Sequence, residues 1–460
     1  MHHSFSDSMR SRWAVACCAR SDLHTGVPRK LVVKYWRNTM KRKTVAGDTS
    51  RVNAIILGAG VIILSVLCGE ITVRYLTTCD SDGNCQLHVM NKVIPLKPFH
   101  MPVNQVSDLL KKCYLGGSYL MYDSALGWVQ RRNSSSENGL YYANSDGVRK
   151  ASPEEKTTTG ENRLRVVLLG DSYTHGDEVL FEQTWGAFLE QKLAGAGIQA
   201  EVINLGVPGY GMDQAYLRWK SSGAVWSPDL VVFGFQPENV KRNLNLVRLF
   251  YHRQSRIPFF KPRFILAGRL LDMVNAPTPS PDELLDLYGR FGTWDTRRHE
   301  YYFRTEDYEN HIWLKSKLVT AGIAWIERLI EWRNEPAFYA IGNEPSQLAL
   351  AILHELRADV EGRGAEFLVP IFIPKWDFRS VTSLSPLPYQ SLLDAVRKEH
   401  DSVDITQQLL ARINGKNVDE LFSGDHYSAK ANEIVAEVIA EAIAQSQSKK
   451  HHLRAARSNP

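Results

Sequence analysis

From residue 165 onward the chain sets short apolar runs, each too short for a core helix, between stretches of helical period. The runs fall at 165–169, 201–204, 230–234, 367–372 and, more weakly, 403–405. The helical patterns fall at 184–196, 214–221, 347–362 and 390–398, and a last one at 429–445 carries an apolar stripe of Ile434, Val438 and Ile439. This alternation predicts an α/β domain over residues 161–446, in which helices cover a parallel sheet. At 460 residues and 44% apolar content the chain can fill two or three average domains, or one large one with insertions.

The remainder divides around that domain. Residues 77–160 form a lead-in rich in turn formers and aromatics, including "YDSALGW" and "ANSDGVR", and read as irregular or short-stranded. An insert at 241–344 separates the third and fourth strands. It opens with the basic, aromatic "FYHRQSRIPFFKPRF" and later carries "GIAWIERLIEWRNE", a helical pattern. Long loops of α/β domains usually shape substrate sites, with a surface embellishment of no chemical role as the alternative. The polar, basic tail at 447–460 is expected to be disordered.

Ahead of the lead-in stands "AIILGAGVIILSVLCGE", sixteen uncharged residues followed by Glu70. With its flanks, 52–76, it reaches the roughly 20 residues that span hydrocarbon. Lys41, Arg42, Lys43 and Arg51 precede it and only Arg74 follows closely, so the positive-inside rule puts the basic segment 1–51 in the cytoplasm and the body across the membrane. No small-x-small cleavage site follows the run, which favours an uncleaved anchor over a signal peptide. Its "GAGV" lacks the strand and third glycine of a dinucleotide loop. Residues 1–39 lack the pattern of a structured domain, and Met40, followed by "KRKT", is a second candidate start.

Charge and cysteine narrow the function. Residues 1–51 hold 11 Lys/Arg against 3 Asp/Glu, leaving 44 against 47 downstream, so the body is slightly acidic and no nucleic-acid partner is expected. Cys17 and Cys18 fall on the cytoplasmic side and Cys68 in the membrane. Cys79 and Cys85 flank the turn-forming "DSDGN" outside it, where oxidation would let them pair, leaving Cys113 single.

The chemistry begins at "VVLLGDSYTHGDEV". Ser172 follows the first strand and opens a helix, so it faces the crevice where open α/β sheets bind ligands, with helix N–H groups behind it. Ser is also a favoured N-cap, and G-D-S alone decides little. A serine nucleophile needs a base. His426, in "FSGDHYSAKANEIVAE", lies between the last strand and the last helix, on the same rim if the crossovers are right-handed. His175 is too close in the chain to reach across a substrate. The second strand ends in "NLGVPGYGMDQ", whose glycines expose N–H groups, and the third in "FGFQPENVKRN", where Asn239 offers an amide; both suit an oxyanion.

The order of "GDSY", "NLGVPGYG", an apolar strand running into Asn, and "HYSAKAN" resembles the SGNH (GDSL-type) hydrolases over about residues 163–437. The lead-in "LGW" and "ANSDGVR", with the anchor, resembles membrane-tethered bacterial members. The resemblance implies a flavodoxin-like three-layer α/β/α domain needing neither metal nor organic cofactor. By motif position it implies Ser172 as nucleophile, His426 as base, and Ser172, Gly209 and Asn239 as the oxyanion hole. Two positions depart from the pattern. Asn239 stands one residue off the usual third block, so Asn243 and Asn245 stay open as donors. Ser423 occupies the place of the aspartate in D-x-x-H, and Asp425 is the chain neighbour of His426. A Ser/His dyad oriented by a backbone carbonyl or by Ser423 is therefore expected.

The function expected is a membrane-anchored serine esterase or O-acyltransferase. It would act on acyl, foremost acetyl, esters of extracytoplasmic polysaccharide or cell-envelope glycan, with polysaccharide-assembly proteins as candidate partners. Trp294, Tyr301, Tyr302 and Trp313 of the insert are candidate sugar-stacking residues, with core packing as the alternative for each. A catalytically silent glycan-binding or assembly protein is the alternative from another class, and a lipase or thioesterase a further one.

Overall fold

The structure, a computed structural model, describes residues 29–458 except 91, 115–117, 158–159, 161, 383–385 and 414–417. Cys17 and Cys18 lie outside it. The chain divides into two units at Thr72 and Val73. Helix α1 (Arg29–Tyr75) makes up the first and gives its last turn to the second. Within it Ser50–Tyr75 is long and apolar enough to cross a membrane. Residues 29–39, which lack the sequence pattern of a structured domain, belong to the same helix, because extending a helix costs far less than starting one.

The second unit is built on a five-stranded parallel sheet: β1 (Leu164–Leu169), β2 (Ala200–Asn204), β3 (Leu230–Phe233), β4 (Glu366–Ile371) and β5 (Ser402–Asp404). Its order is β2-β1-β3-β4-β5, the flavodoxin-like arrangement whose reversal lies between β1 and β3. Val167 pairs with Ile203 on one side and Val231 on the other, and Val231 with Phe367. Val166 to Leu169 are fully buried, as expected for a central strand covered on both faces.

Helices α2 (Trp185–Gly195), α3 (Met212–Arg218), α4 (Glu238–Arg242), α5 (Lys317–Phe338), α6 (Glu344–Gly362), α7 (Gln390–Glu399) and α8 (Ala429–Ser458) occupy the crossovers, the insert and the end. Thr184 caps α2 by accepting from the Ala187 N–H, and α2 packs along α8, where Lys192 pairs with Glu433 and Glu437. Helix α6 packs on α3, α4 and β4. Helix α8 runs through the stretch expected to be disordered, whose Ala, Lys, Arg and Gln are strong helix formers continuing an anchored helix.

The lead-in is less irregular than its composition suggests. Cys79 and Cys85 are disulfide-bonded across two short antiparallel strands, and Cys68 and Cys113 are free. The hairpin of Leu120–Asp123 and Gly127–Gln130 delivers Trp128 into the main core, fully buried. Its indole N–H donates to the Pro208 carbonyl at 3.0 Å, Gln130 donates to the Gly206 carbonyl at 2.6 Å, and Tyr210 donates back to the Trp128 carbonyl at 2.6 Å. The insert joins the same core through Phe250, Phe260, Tyr288 and Phe291.

Candidate active site

Gly170 ends β1 at φ 152°, and Asp171 caps the short helix Ser172–His175 by accepting from the Tyr173 N–H. A Cβ on Gly170 would lie 2.2 Å from the Thr174 hydroxyl, so the turn closes only around glycine. Ser172 is thereby held at the carboxyl end of β1, beside the sheet's reversal. His426 begins the two-residue strand His426–Tyr427 just before α8. Its Nε2 stands 2.8 Å from the Ser172 hydroxyl oxygen, so a serine hydroxyl and an imidazole 254 positions apart in the chain are in contact.

The group behind His426 is not the one expected. Glu178, on the loop that continues from Ser172, lies with a carboxylate oxygen 3.4 Å from His426 Nδ1. Its other oxygen accepts the backbone N–H groups of Asp425 at 3.0 Å and His426 at 3.1 Å. Glu178 faces Nδ1 at ion-pair distance, though Nδ1 has no hydrogen-bond partner among the described residues; a proton on Nδ1 would leave Nε2 to accept from the Ser172 hydroxyl. Ser423 does not reach the imidazole: its hydroxyl donates to the Glu178 carbonyl at 3.4 Å. Asp425 contributes backbone alone, its carbonyl accepting from the Tyr173 hydroxyl at 2.9 Å.

Burial alone would lower the His426 pKa. The carboxylates of Glu178, Asp177 and Asp171 outweigh it and raise the value above the ordinary imidazole. Burial likewise works against the Glu178 anion, and its bonds to His426 and to backbone N–H groups hold its pKa below the ordinary carboxylate. His175 takes no part. It is fully buried between Tyr119, whose hydroxyl lies 3.0 Å from Nε2, and Asp177, 2.5 Å from Nδ1, and burial drives its pKa down to about 4.

Arg242 ties the three strand ends together. From α4 it donates to Asp171 beside Ser172 at 3.0 Å, to the carbonyl of Tyr210 next to Gly209 at 3.2 Å, and to Glu238 at 3.1 Å. Gly209 adopts φ 81°, and a Cβ there would lie 3.1 Å from Ile257 and 3.5 Å from Arg248 Nε. Asn239 sits in the first turn of α4, buried, its side-chain oxygen without a hydrogen-bond partner among the described residues. Asn243 accepts through its side-chain oxygen from the Met212 and Asp213 N–H groups at the start of α3, while its buried Nδ2 has no hydrogen-bond partner among the described residues. Asn245 is buried with neither side-chain polar atom partnered among the described residues. Of the candidate sugar-stacking aromatics, Trp294 packs on Phe260 and Phe291 and Tyr302 bonds the Lys241 carbonyl, so both serve packing. Tyr301 and Trp313 are exposed.

No family model matches the chain, and no curated protein matches it. Solved structures similar to it include a catalytic mutant of an acetylxylan esterase from Geobacillus stearothermophilus, 12% identical, the match covering 62% of this chain and 95% of that one at a TM-score of 0.32. A lipase/acylhydrolase from Enterococcus faecalis is 15% identical over 61% of this chain and 94% of its own, with a TM-score of 0.31. A GDSL-like lipase from Bacteroides thetaiotaomicron is 13% identical over 64% and 93%, with a TM-score of 0.29.

Proposed function

We propose that the chain is a serine hydrolase or acyltransferase of the SGNH (GDSL) type, with a flavodoxin-like three-layer catalytic domain. The observation that carries the reading is the 2.8 Å contact of His426 Nε2 with the Ser172 hydroxyl, at the ligand-binding rim of a parallel sheet. His426 takes the hydroxyl proton as Ser172 attacks an ester carbonyl, and Glu178 balances the imidazolium that forms. The N–H groups of Ser172 and Gly209 and the amide of Asn239 hold the tetrahedral oxyanion. His426 then protonates the departing alcohol, and water or a sugar hydroxyl, deprotonated by His426, releases the acyl group. The alternative of a catalytically silent glycan-binding protein rests on the missing aspartate and the irregular third block; Glu178 offers a carboxylate against the first, and the second stands.

On the same reading α1 crosses a membrane with its basic start in the cytoplasm, and the second unit stands outside, facing acetylated envelope or exported glycan. Labelling the full chain with a fluorophosphonate tests the central claim. Labelling is expected in the wild type and absent in Ser172→Ala and His426→Ala. A folded wild type that does not label overturns it.

A further inference from the structure

Helix α5 is built inside out. A helix on a protein surface normally turns its apolar stripe to the core and its charges to water. Here Val319, Trp325, Ile326, Leu329, Ile330 and Trp332 are all exposed, Trp325 by 66% and Trp332 by 72%. At about 100° per residue they cover roughly half the circumference, interrupted only by Arg333. The polar arc faces the body instead. Glu327 pairs with Lys97, and Glu335 with Lys241 at 2.6 Å. Ala321 and Ala324, beside that arc, pack on Cys85, Leu87, Ile94 and Leu96. An exposed apolar face of this size marks an interaction surface.

Its neighbours identify the partner. Val73 packs into the same small cluster as Ala321 and Ala324, and Arg74 donates to the Lys315 carbonyl at 2.8 Å. These two residues lie in the last turn of α1, just past Glu70, at the end of its apolar run Ser50–Tyr75. If that run crosses a bilayer, the hydrocarbon boundary falls beside the start of α5 by chain connection alone. Tryptophan with aliphatic residues on one arc and charges on the other is the composition of a helix lying in the membrane interface.

We infer that α5 is an interfacial helix whose apolar arc beds into the lipid at the headgroup boundary. The inference rests on the membrane-spanning reading of α1. The anchor tethers the second unit, and α5 fixes which face of it meets the bilayer.

Spin labels on the full chain in phosphatidylcholine/phosphatidylglycerol vesicles test this, in a background with Cys17, Cys18, Cys68 and Cys113 replaced by serine. Leu329→Cys and Ile330→Cys labels should collide readily with oxygen and poorly with a water-soluble nickel chelate, and Glu331→Cys the reverse. Water access at all three positions overturns the inference. Labels immobilised and shielded from both reagents also overturn it, in favour of a protein partner or second copy. Release of the chain by alkaline carbonate would sink the anchor separately, and the label pattern on vesicle-bound protein would still decide α5. Should the cysteine variants fail to fold, quenching of Trp325 and Trp332 by brominated lipid, compared with Trp325→Phe and Trp332→Phe, separates the same outcomes: quenching supports burial in lipid, and its absence overturns it.

Discussion

Gly424 lacks a side chain where the carboxylate of Glu178 lies: a Cβ on it would meet the two carboxylate oxygens at 2.5 and 2.6 Å. Both residues take left-handed backbone, φ 67° at Gly424 and φ 68° at Glu178. Left-handed backbone is unusual for a glutamate and points to a conformation imposed by its surroundings. The loop after Ser172 and the loop before α8 are thus shaped to each other, with one carboxylate between them.

That carboxylate sets the pH dependence. A protonated imidazole cannot accept the Ser172 proton, so kcat/KM should fall as pH drops through the raised pKa of His426, above the ordinary value of about 6.5. Glu178→Gln removes the first of the charges that raise it. The acidic limb should move to lower pH, and kcat should fall about 10²-fold or more, short of the ~10⁴-fold seen when a triad aspartate becomes an amide. A pH–rate profile of both proteins is the check, and an unmoved limb would dismiss Glu178 as the orienting group.

Gly424→Ala should act through Glu178. The added methyl displaces the carboxylate and strains the backbone by about 1–2 kcal/mol. Its acidic limb should move in the same direction. Adding Gly424→Ala to Glu178→Ala should cost little further activity, because coupled residues are not additive. Steady-state rates of the single and double variants measure this.

Arg242→Met should destabilise by about 3–5 kcal/mol in urea unfolding near neutral pH, because it strands Asp171 and Glu238 without their shared cation. The acid side carries a second signature. Burial works against the Glu238 anion, but Arg242, Tyr251 and Arg248 hold its pKa down to about 2. A depressed carboxylate contributes stability above its unfolded value of about 4.3 that is lost as pH falls towards 2. The variant should therefore lose less stability than the wild type over that range.

Trp128→Ala should cost about 3–5 kcal/mol, the range for a large buried aromatic. The loss should extend to activity, since the ring and its indole N–H brace the loop that carries Gly209. Thermal unfolding and ester hydrolysis measured on one preparation test both effects.

What is legible in the sequence follows from the range of the interactions. The five strands emerge to within a residue or two because each is an apolar run bounded by turn formers, a local signal. Ser172 and His426 emerge because strand-end placement is also local. Glu178 does not. The family pattern puts an orienting acid three residues before the histidine, where Ser423 stands, so no acid is expected there, whereas the Glu178 carboxylate comes from the loop after Ser172, 248 residues from His426. The acidic pair in "GDEV" is visible, but nothing in its spacing points to a distant histidine. Trp128 stands in "LGW" with no legible role for the same reason: its partners lie some eighty residues on. Helix α5 is legible as a helix, but a periodic pattern gives a helix's apolar arc and not the side that faces the protein.

The hook of Trp128 and Gln130 into the 206–210 loop also bears on what counts as a module. A boundary near residue 160 separates two compositions, yet it cuts through one core. A fragment beginning at 161 would carry Ser172, His426 and Glu178 and still lack the wall against which Gly209 is set. The unit that can be transplanted, fused or shortened without loss is therefore longer than the stretch bearing the motifs, and any grafted version would have to bring the hairpin from Leu120 with it.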